Sequence, residues 1–557
     1  MSNNQSYHQH QFQSHGAFMA SIQNSPPLIR GNTSGLTSTQ VTDASTEPKI
    51  RRLSFELDDR GRPLSERQLH GLSYPEWIAF NLKHCATTVY RTFKWIKVLI
   101  ILKRNGITPE SIREINRNGG IISKILQAIG SSDELISSVC GISKVNPNFQ
   151  AIKQELCTSM HDNEPMPMRK LISILNENNF DYDPDRLNEI TILGVGSVGQ
   201  VIQIPMRDGT TKVVKVVDSD LEIKFKADIS IVSTILSLVS RFKPDIVGRG
   251  STDAIRGFLS TIPREFDLRY EKHNTQIQQR RFQRLDQDFY HITADDCRCS
   301  ESDHGYRNTN CHNYLGTRPR APQHYINVDG KNVEIEYSSP AIDEDLSSRN
   351  MLVMEEIDGV TLSSSDDDFL TKVVQPLLVA HNQTMDRSRI SPSMINALRQ
   401  EIRNCAFSAW EQGLFTAGEC SADMHNGNIM VSIEGKKIII HFIDFGNYVN
   451  ETRDTVVSIY TAVSAIDKAM HTQNQEHINS HADALIGALR QFGIPTRDTI
   501  NWDAIKREAI TEFSNPENGG NPNKVVTKVF DIGFRHGLRV PPSIIGLFRA
   551  RLILTQN

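Results

Sequence analysis

The chain lacks the long, uncharged apolar run that a membrane-spanning helix requires. Its best candidate, residues 95–102, is short and contains Lys97, so we expect no helix to cross a bilayer. The N-terminus has no apolar core of a signal peptide. The 8 cysteines are scattered among 557 residues, which does not resemble a secreted disulfide framework. We expect a protein that is cytoplasmic or peripheral to a membrane, and non-classical secretion stays open.

A strong net charge is also missing. The formal charge is −4, so nothing indicates a nucleic-acid partner. Residues 1–55 contain few large apolar side chains and many Ser, Gln, Asn, Thr and His, a composition that predicts a disordered tail. The scarcity of arginine in this tail argues against a mitochondrial transit peptide.

Hydrophobic periodicity divides the remaining chain into helical and strand-rich parts. Residues 56–185 have the spacing of helices, and short strands are expected at 190–193, 198–204 and 212–217. Apolar residues recur at helical spacing after 452, and the regions 186–360 and 361–557 are predicted as a strand-bearing lobe and a helical lobe. This order predicts an α+β fold with two lobes, preceded by a helical extension.

The polar segment 286–340 resembles an insert in the first lobe. It contains cysteines and histidines in the spacing C-x-C-x4-H-x6-C-H, from Cys297 to His312. Thiolates and imidazoles suit zinc, but this spacing matches no established zinc motif. An ordinary polar loop is the favoured interpretation.

Residues 193–201, LGVGSVGQV, form the pattern G-x-G-x-x-G-x-V. Glycine lets a hairpin backbone approach phosphates closely. A strand-like segment follows the glycines, which favours a phosphate-covering hairpin over a Rossmann turn. The candidate nucleotide-binding residues here are Gly194, Gly196, Ser197, Gly199 and Val201.

Lys215 lies in the apolar strand VVKVV. A lysine on a buried strand needs a counterion, which nucleotide phosphates can supply. The alternative is an edge-strand lysine that points to solvent. Further downstream, residues 351–359, MLVMEEIDG, are typical of a strand entering a hinge, where Glu355 would lie beside an adenine ring.

The segment 421–446 carries the residues expected for phosphoryl transfer. Asp423 precedes Asn428 by five positions, and an apolar run leads to Asp444 in Asp-Phe-Gly. This is the order of a kinase catalytic loop and metal-binding strand end. The plainer interpretation is a surface loop, a buried strand and a turn whose acids cap backbone groups.

Several motifs together resemble the ABC1/ADCK/UbiB family of atypical kinases. The family's E-x-D-x-x-x-E-x-x-N pattern is similar to Glu265, Asp267, Glu271 and Asn274, and its KxGQ motif resembles residues 124–127. Its H-x-D-x-H-P-G-N loop resembles residues 421–428. The phosphate loop of the family is alanine-rich, whereas this chain has glycines, and Leu126 replaces the glycine of KxGQ.

The resemblance implies a role for each matched residue. Asn428 and Asp444 would hold Mg²⁺, Asp423 would be the catalytic-loop acid, and Lys215 would pair with Glu271 and with ATP phosphates. On the helical extension, Lys124 and Gln127 would reach into the active site, where Lys124 would face Glu265 in the motif that also contains Asp267.

The resemblance leads us to expect an ATP-dependent phosphotransferase or ATPase with ATP and Mg²⁺ as cofactors. Glycines at the phosphate loop favour true ATP binding. Two alternatives stay open: a small-molecule kinase of the aminoglycoside or choline kinase kind, and a non-catalytic nucleotide-binding pseudokinase scaffold. A lipid or membrane surface is a candidate partner beside the nucleotide.

Overall fold

The computed structural model describes 53–58, 62–117, 121–122, 126, 146–158, 165–196, 198–242, 259, 262–285, 324–328, 331–381, 390–495, 500–516, 522–539, 541, 544 and 547. The chain forms two compact units. One comprises Met1–Ala86 with Cys297–Arg318, and the other comprises Thr87–Asp296 with Pro319–Asn557. All the candidate site residues belong to the second unit.

Helices dominate the described residues before position 190. They are α1 (Glu66–Leu69), α2 (Tyr74–Asn105), α3 (Pro109–Asn116), α4 (Phe149–Thr158) and α5 (Met168–Glu177). Sequence signals set their starts: the Ser65 side chain accepts the Gln68 N–H before α1, and Thr108 caps α3 with Pro109 at its first position. No helix in the described ranges is long and apolar enough to cross a membrane.

Four antiparallel strands form the sheet of the first lobe. They are β1 (Thr191–Val195), β2 (Gly199–Pro205), β3 (Thr211–Val217) and β6 (Met351–Met354), in the order β1-β2-β3-β6. Side chains of β3 alternate between the two faces, because successive residues of a strand point to opposite sides. Val214 and Val216 pack with Leu171 and Leu175 of α5.

The opposite face of this sheet packs on α6 (Ser219–Phe242) and on the chain leading into α7 (Leu268–Phe282). Here Val217 and Leu352 share a core with Phe225 and Phe266, whose rings meet edge to face at 5.1 Å. The helix α6 occupies the chain between Lys215 and Glu271, which accounts for their long separation in sequence.

A second sheet of five strands has the order β4-β5-β10-β9-β7. Its members are β4 (Tyr325–Val328), β5 (Lys331–Ser338), β7 (Val360–Thr361), β9 (Ile429–Glu434) and β10 (Lys437–Phe442). The β9–β10 hairpin connects the segment bearing Asn428 to the segment bearing Asp444, and β5 runs parallel to β10.

The prediction of a polar loop throughout 286–340 was wrong for its last part. Residues 325–328 and 331–338 form β4 and β5, and Val333 and Ile335 are buried in the main core. The alternation of apolar residues in NVEIEY, preceded by Asp329-Gly330, is a hairpin signal in the sequence. The cysteines and histidines of 297–312 lie outside the described residues.

The second lobe is mainly helical, as predicted. Its helices are α8 (Asp366–Phe369), α9 (Gln375–Ala380), α10 (Pro392–Ala417), α11 (Arg453–Met470), α12 (Gln475–Phe492), α13 (Trp502–Phe513) and α14 (Pro522–Arg535), with a π-helical turn at Leu370–Val374. Two small strand pairs complete it: β8 (Glu419–Ser421) with β11 (Tyr448–Asn450), and β12 (Ile494–Pro495) with β13 (Leu538–Arg539).

The α+β fold class is confirmed, and a large buried core fills the second lobe around α10 and α11. Near the end of the apolar repeat that follows 452, Ile544 and Leu547 are the described residues of 543–554, and both are buried. The predicted disordered tail lies outside the described residues except at 53–55. The four-part domain division stays a prediction.

A substitution at Gly199 tests how closely β2 approaches β3. A Cβ at this position would lie 2.1 Å from the Val216 carbonyl oxygen, a backbone atom that cannot move aside. We expect Gly199→Ala to lower the free energy of unfolding by about 1–3 kcal/mol, the usual cost of overpacking. Chemical denaturation measures this change.

The matched control is Gly194→Ala. A Cβ there meets nothing within 4 Å among the described residues, and the residue has no positive φ, so stability should change by less than about 0.5 kcal/mol. Equal losses in the two variants would contradict the close approach of β2 to β3 at Gly199.

Candidate functional site

Lys215 lies in the middle of β3 and pairs in register with Val201 of β2 and Leu352 of β6. Paired residues of antiparallel strands project from the same face, so Lys215 shares its face with Val201, a candidate nucleotide-binding residue. The register of the sheet therefore places the lysine on the face that the sequence assigns to the nucleotide.

Two carboxylates meet the ammonium group of Lys215. Its Nζ lies 2.8 Å from both carboxylate oxygens of Glu271 on α7 and 3.3 Å from Oδ2 of Asp444. The Glu271 side chain is 5% exposed, whereas that of Asp444 is 37% exposed. The lysine side chain therefore links three segments that are distant in sequence. Of its two carboxylate partners, Asp444 is the more exposed to solvent.

The protonation of this group follows from burial and charge. Burial alone would lower the pKa of Lys215, but the charges of Asp444 and Glu271 outweigh it and raise that pKa above its usual value. Burial raises the pKa of Glu271 to about 7, against the opposing effect of Lys215. Burial also acts to raise the pKa of Asp444, but Lys215 and the Gly446 N–H hold that pKa below its usual range. Of the two carboxylates, Asp444 is therefore the one that stays ionised at neutral pH.

Helix α7 begins at Asp267, whose side chain caps it by accepting the Arg269 N–H at 3.2 Å. The same carboxylate binds the Arg269 guanidinium at 2.7 Å, and Arg349 lies 3.7 Å away. Asp267 is therefore placed to start and orient the helix that carries Glu271. Glu265, just before the helix, is near enough for its charge to raise the pKa of Glu271.

Polar side chains on one face of α7 bind the chain around Asp444. Most of these contacts were not predicted from the sequence. Asn274 donates to the Phe445 carbonyl at 3.0 Å, and Gln278 donates to the Tyr448 hydroxyl at 2.6 Å. One turn further, Arg281 pairs with Glu419 at 2.8 Å. The spacing of these polar residues after Glu271, at three, seven and ten positions, was the available signal.

The predicted catalytic-loop residues are held by hydrogen bonds that link β8, the loop after it and the segment that follows β10. Asn428 donates its side-chain N–H to the Asp423 carbonyl at 2.8 Å, and its own carbonyl accepts the Ile443 N–H at 3.1 Å. Ser421, in the place of the family's histidine, donates to the Asp444 carbonyl at 3.3 Å. The loop and the Asp-Phe-Gly segment are thus tied together at both ends.

Gly446 lets the two acids converge. Its N–H donates to Oδ1 of Asp444 at 2.8 Å. A Cβ on Gly446 would lie 3.2 Å from a carboxylate oxygen of Asp444 and 3.2 Å from one of Glu271. A side chain here would require a carboxylate to shift by a few tenths of an ångström, so glycine suits the close approach of the two acids.

The glycines of the hairpin differ in how closely other atoms surround them. Among the described residues, a Cβ on Gly194 would meet no atom within 4 Å, and a Cβ on Gly196 would meet only the Gly199 carbonyl, at 3.5 Å. The Gly196 N–H donates to that same carbonyl at 2.8 Å, closing the turn. The turn backbone at Gly194 and Gly196 is therefore approachable, whereas Gly199 is packed. Ser197 lies outside the described residues.

Sequence comparison identifies the fold family. The model of the ABC1 atypical kinase-like domain matches residues 160–292 and 327–478, more than half of the chain. The chain belongs to the ABC1 atypical kinase-like family. The family match breaks between these two ranges, inside the segment predicted as an insert. No curated protein matches the chain.

Among solved structures, the chain is similar to one described as the complex structure of Rv3197–erythromycin from Mycobacterium tuberculosis. The identity is 14%, the match covers 86% of this chain and 100% of the other, and the TM-score is 0.30. A match at this TM-score establishes nothing about the site.

The part of the helical extension that the resemblance predicts to reach the active site lies outside the described residues. Lys124 and Gln127 lie outside them, as do residues 159–164, so their predicted contacts stay predictions. Ile121, three residues before Lys124, is fully buried with Phe225 and Phe266, and its N–H donates to Asp228 at 3.2 Å. The extension is therefore anchored on α6 immediately before the KxGQ-like motif.

Glu355, predicted to lie beside an adenine ring, is bound to the neighbouring loop. Its N–H donates to the Ala341 carbonyl at 2.9 Å, and its carboxylate accepts the Ala341 N–H at 2.7 Å. Both groups are therefore used by that loop, and the predicted role of Glu355 stays a prediction.

A buried histidine in β10 provides a pH test of the strand that leads to Asp444. The His441 ring nitrogen Nε2 lies 2.8 Å from the Ser432 hydroxyl, and burial lowers the pKa of His441 to about 4. Below about pH 6.5 the unfolded chain binds a proton that the folded chain does not. Stability is therefore complete above about pH 6.5 and is lost as pH falls toward 4.

Between about pH 6.5 and about pH 4, this difference in proton binding lowers the free energy of unfolding by roughly 3 kcal/mol. Urea unfolding from about pH 7.5 to about pH 4.5, a range that spans the titration of the unfolded imidazole, should show a smaller loss for His441→Asn than for the unchanged protein. Other titrating groups cancel in this comparison. Parallel stability curves for the two proteins would show that His441 is not held neutral.

Proposed function

We propose that this member of the ABC1 atypical kinase-like family binds Mg–ATP between its lobes and transfers or hydrolyses the γ-phosphoryl group. The observation that supports this most strongly is the joining of Lys215, Glu271 and Asp444 beneath an open glycine hairpin. Kinase-like phosphoryl transfer depends on positioned charges around the phosphates rather than on covalent chemistry.

The nucleotide would lie along the face of β2 and β3 that carries Val201 and Lys215. The backbone at Gly194 and Gly196 would cover the phosphates, since no described residue obstructs the approach there. Lys215 would contact phosphate oxygens while Glu271 holds its position. The adenine would meet the hinge backbone after Met354, because the Glu355 N–H is already bound to Ala341.

The residues present fit Mg²⁺ delivered with the nucleotide. Asp444 and Asn428 supply a carboxylate and an amide oxygen, and the exposed part of Asp444 gives a cation access. Mg²⁺ in nucleotide enzymes takes one or two protein carboxylates together with substrate phosphates. Within the described ranges no group of three or more His, Cys, Asp or Glu side chains is placed to hold a metal ion.

When bound, Mg²⁺ would neutralise the phosphates. The acceptor, whether water or an alcohol, would lie at Asp423, whose carboxylate orients it or takes its proton. The Asp423 backbone is fixed by Asn428 and His425, which donate to its carbonyl at 2.8 and 3.2 Å. The loop is thus rigid where an acceptor must be aligned.

Nucleotide binding can be measured by thermal unfolding. We expect Mg–ATP at about a hundredfold excess over its dissociation constant to raise the midpoint by roughly 2–5 °C, since ligand binding to the folded state stabilises it. Lys215→Ala and Asp444→Asn should abolish or greatly reduce this shift, and EDTA should reduce it in the unchanged protein.

The matched control is Lys212→Ala. Lys212 lies on the same strand but points to Asp343, 3.5 Å away, instead of to Glu271, so its removal should leave the nucleotide shift intact. If Mg–ATP does not shift the unchanged protein, the proposed nucleotide site is wrong.

A measurement of ATP turnover distinguishes an enzyme from a non-catalytic nucleotide-binding scaffold. Release of phosphate from ATP, or its transfer to an added acceptor, should fall at least about a hundredfold in Asp423→Asn, because a positioned general base contributes about that much or more. The thermal shift with Mg–ATP should survive, since Asp423 does not hold the nucleotide in this proposal.

Nucleotide binding without turnover in the unchanged protein would instead identify a non-catalytic scaffold. Turnover that requires small alcohols, with none on water, lipids or proteins, would identify a small-molecule kinase. A turnover rate equal in Asp423→Asn and the unchanged protein would contradict the role assigned to the loop acid.

A further inference from the structure

His425 occupies the middle of the predicted catalytic loop. Its N–H donates to the Asp423 carbonyl at 3.2 Å, and its own carbonyl accepts the Asn428 N–H at 2.9 Å. The roles proposed above for the loop belong to Asp423 and Asn428, and none belongs to the side chain of His425. The backbone therefore holds this side chain between the acid proposed for the acceptor and the amide proposed for the metal.

One nitrogen of the His425 ring is used within the loop. The Gly427 N–H donates to Nδ1 at 3.1 Å. A Cβ on Gly427 would lie 3.0 Å from Nδ1 and from Cε1, so glycine lets the ring lie close against the turn Asn426–Asn428. A ring nitrogen that accepts a hydrogen bond carries no hydrogen, so the hydrogen of the neutral ring lies on Nε2. The contact with Gly427 therefore fixes both the position and the tautomer of the ring.

The other ring nitrogen is directed away from the turn. Nδ1 and Nε2 lie on different sides of the imidazole, so the Nε2–H leads away from Gly427. His425 is exposed, and within the described part of the chain no acceptor binds Nε2. Burial acts to raise the pKa of Asp444, while Lys215 and, to a smaller extent, His425 lower it. A hydrogen-bond donor therefore lies near the acid that is proposed to bind Mg²⁺.

We propose that His425 is a catalytic residue whose Nε2–H donates a hydrogen bond to an oxygen of the transferred phosphoryl group. This inference rests on the proposed function and adds a residue to the same site. The phosphoryl group would pass from the β-phosphate of ADP to the acceptor oxygen, and the acceptor proton would pass to Asp423. His425 keeps its hydrogen throughout. A donor fixed before the reaction lowers the barrier when its bond strengthens as charge develops on the oxygens in transfer.

The alternative is that His425 only caps the turn through Nδ1, and two substitutions distinguish these roles. His425→Asn places an oxygen near the position of Nδ1, where it can accept the Gly427 N–H as in an Asx turn, but leaves no group at the position of Nε2. His425→Gln places an amide N–H near the position of Nε2 but removes the acceptor at Nδ1. A donor role predicts activity in the Gln variant, and a capping role predicts it in the Asn variant.

Isothermal titration calorimetry with Mg–ADP, alone and with fluoroaluminate, tests the contact directly. Fluoroaluminate stands in for the phosphoryl group in transfer, and analogues of that state bind tightly to residues that stabilise it. We expect His425→Asn to weaken the fluoroaluminate complex at least about tenfold, the effect of losing a hydrogen bond to a charged group. Its affinity for Mg–ADP alone, which lacks the transferred group, should be unchanged.

ATP turnover provides the second measurement. In His425→Asn, kcat should fall at least about tenfold for the same reason, with KM little changed, because the bond that is lost forms in the transition state. His425→Gln should recover most of both losses.

The matched control is His471→Asn. His471 is also exposed, and its Nδ1 lies 2.8 Å from the Asp467 carbonyl oxygen. The same substitution is thus made at another exposed histidine bound to the backbone, and neither fluoroaluminate binding nor turnover should change. Circular dichroism and the unfolding midpoint verify that each variant is folded.

Three results would overturn the inference. Undiminished fluoroaluminate binding and turnover in His425→Asn would overturn it and leave the proposed function intact, because the unchanged protein would still bind and use Mg–ATP. Equal losses in the Asn and Gln variants would also exclude the donor role of Nε2. Absence of Mg–nucleotide binding by the unchanged protein would overturn the proposed function and this inference together.

Discussion

The site depends on one partly buried lysine that pairs with two carboxylates. Lys215 brings β3, α7 and the Asp-Phe-Gly segment together within hydrogen-bonding distance. Removing the charge of Lys215 would leave two carboxylates uncompensated in a poorly solvated place, which is costly. When Glu271 is ionised the three groups carry one excess negative charge, and Asp444 is the more exposed of the two acids. The same ion pairs that join the three segments therefore leave part of Asp444 accessible to the cation that we propose there.

Helix α7 connects Lys215 of the first lobe to the chain that follows Asp444. Its start is fixed by Asp267, its middle by Glu271, and its later turns by Asn274 and Gln278, which bind the chain after Asp444. A shift of α7 would therefore move Glu271, the partner of Lys215, together with the chain that follows Asp444. A site assembled from such linked contacts is positioned as a unit, which phosphoryl transfer requires because it depends on alignment.

Much of this could be predicted from the sequence because it depends on local patterns. Alternating apolar residues predicted the strand around Lys215, and the glycine spacing predicted a hairpin before it. The strands at 325–328 and 331–338 were missed, because a polar segment was interpreted as a loop although its last part alternates. The role of Gln278 was missed too, since its partner Tyr448 lies 170 residues away and no local pattern connects them.

The sequence by itself determined the fold class, the order of the lobes and the residue types available for phosphoryl transfer, because periodicity and motif spacing are properties of neighbouring residues. Only the tertiary structure decided that Asp444, beside the Glu271 that the resemblance implies, also contacts Lys215, and that Glu355 is turned toward Ala341. Each of these outcomes depends on distant segments meeting, and burial and ion pairing in the folded chain control that meeting.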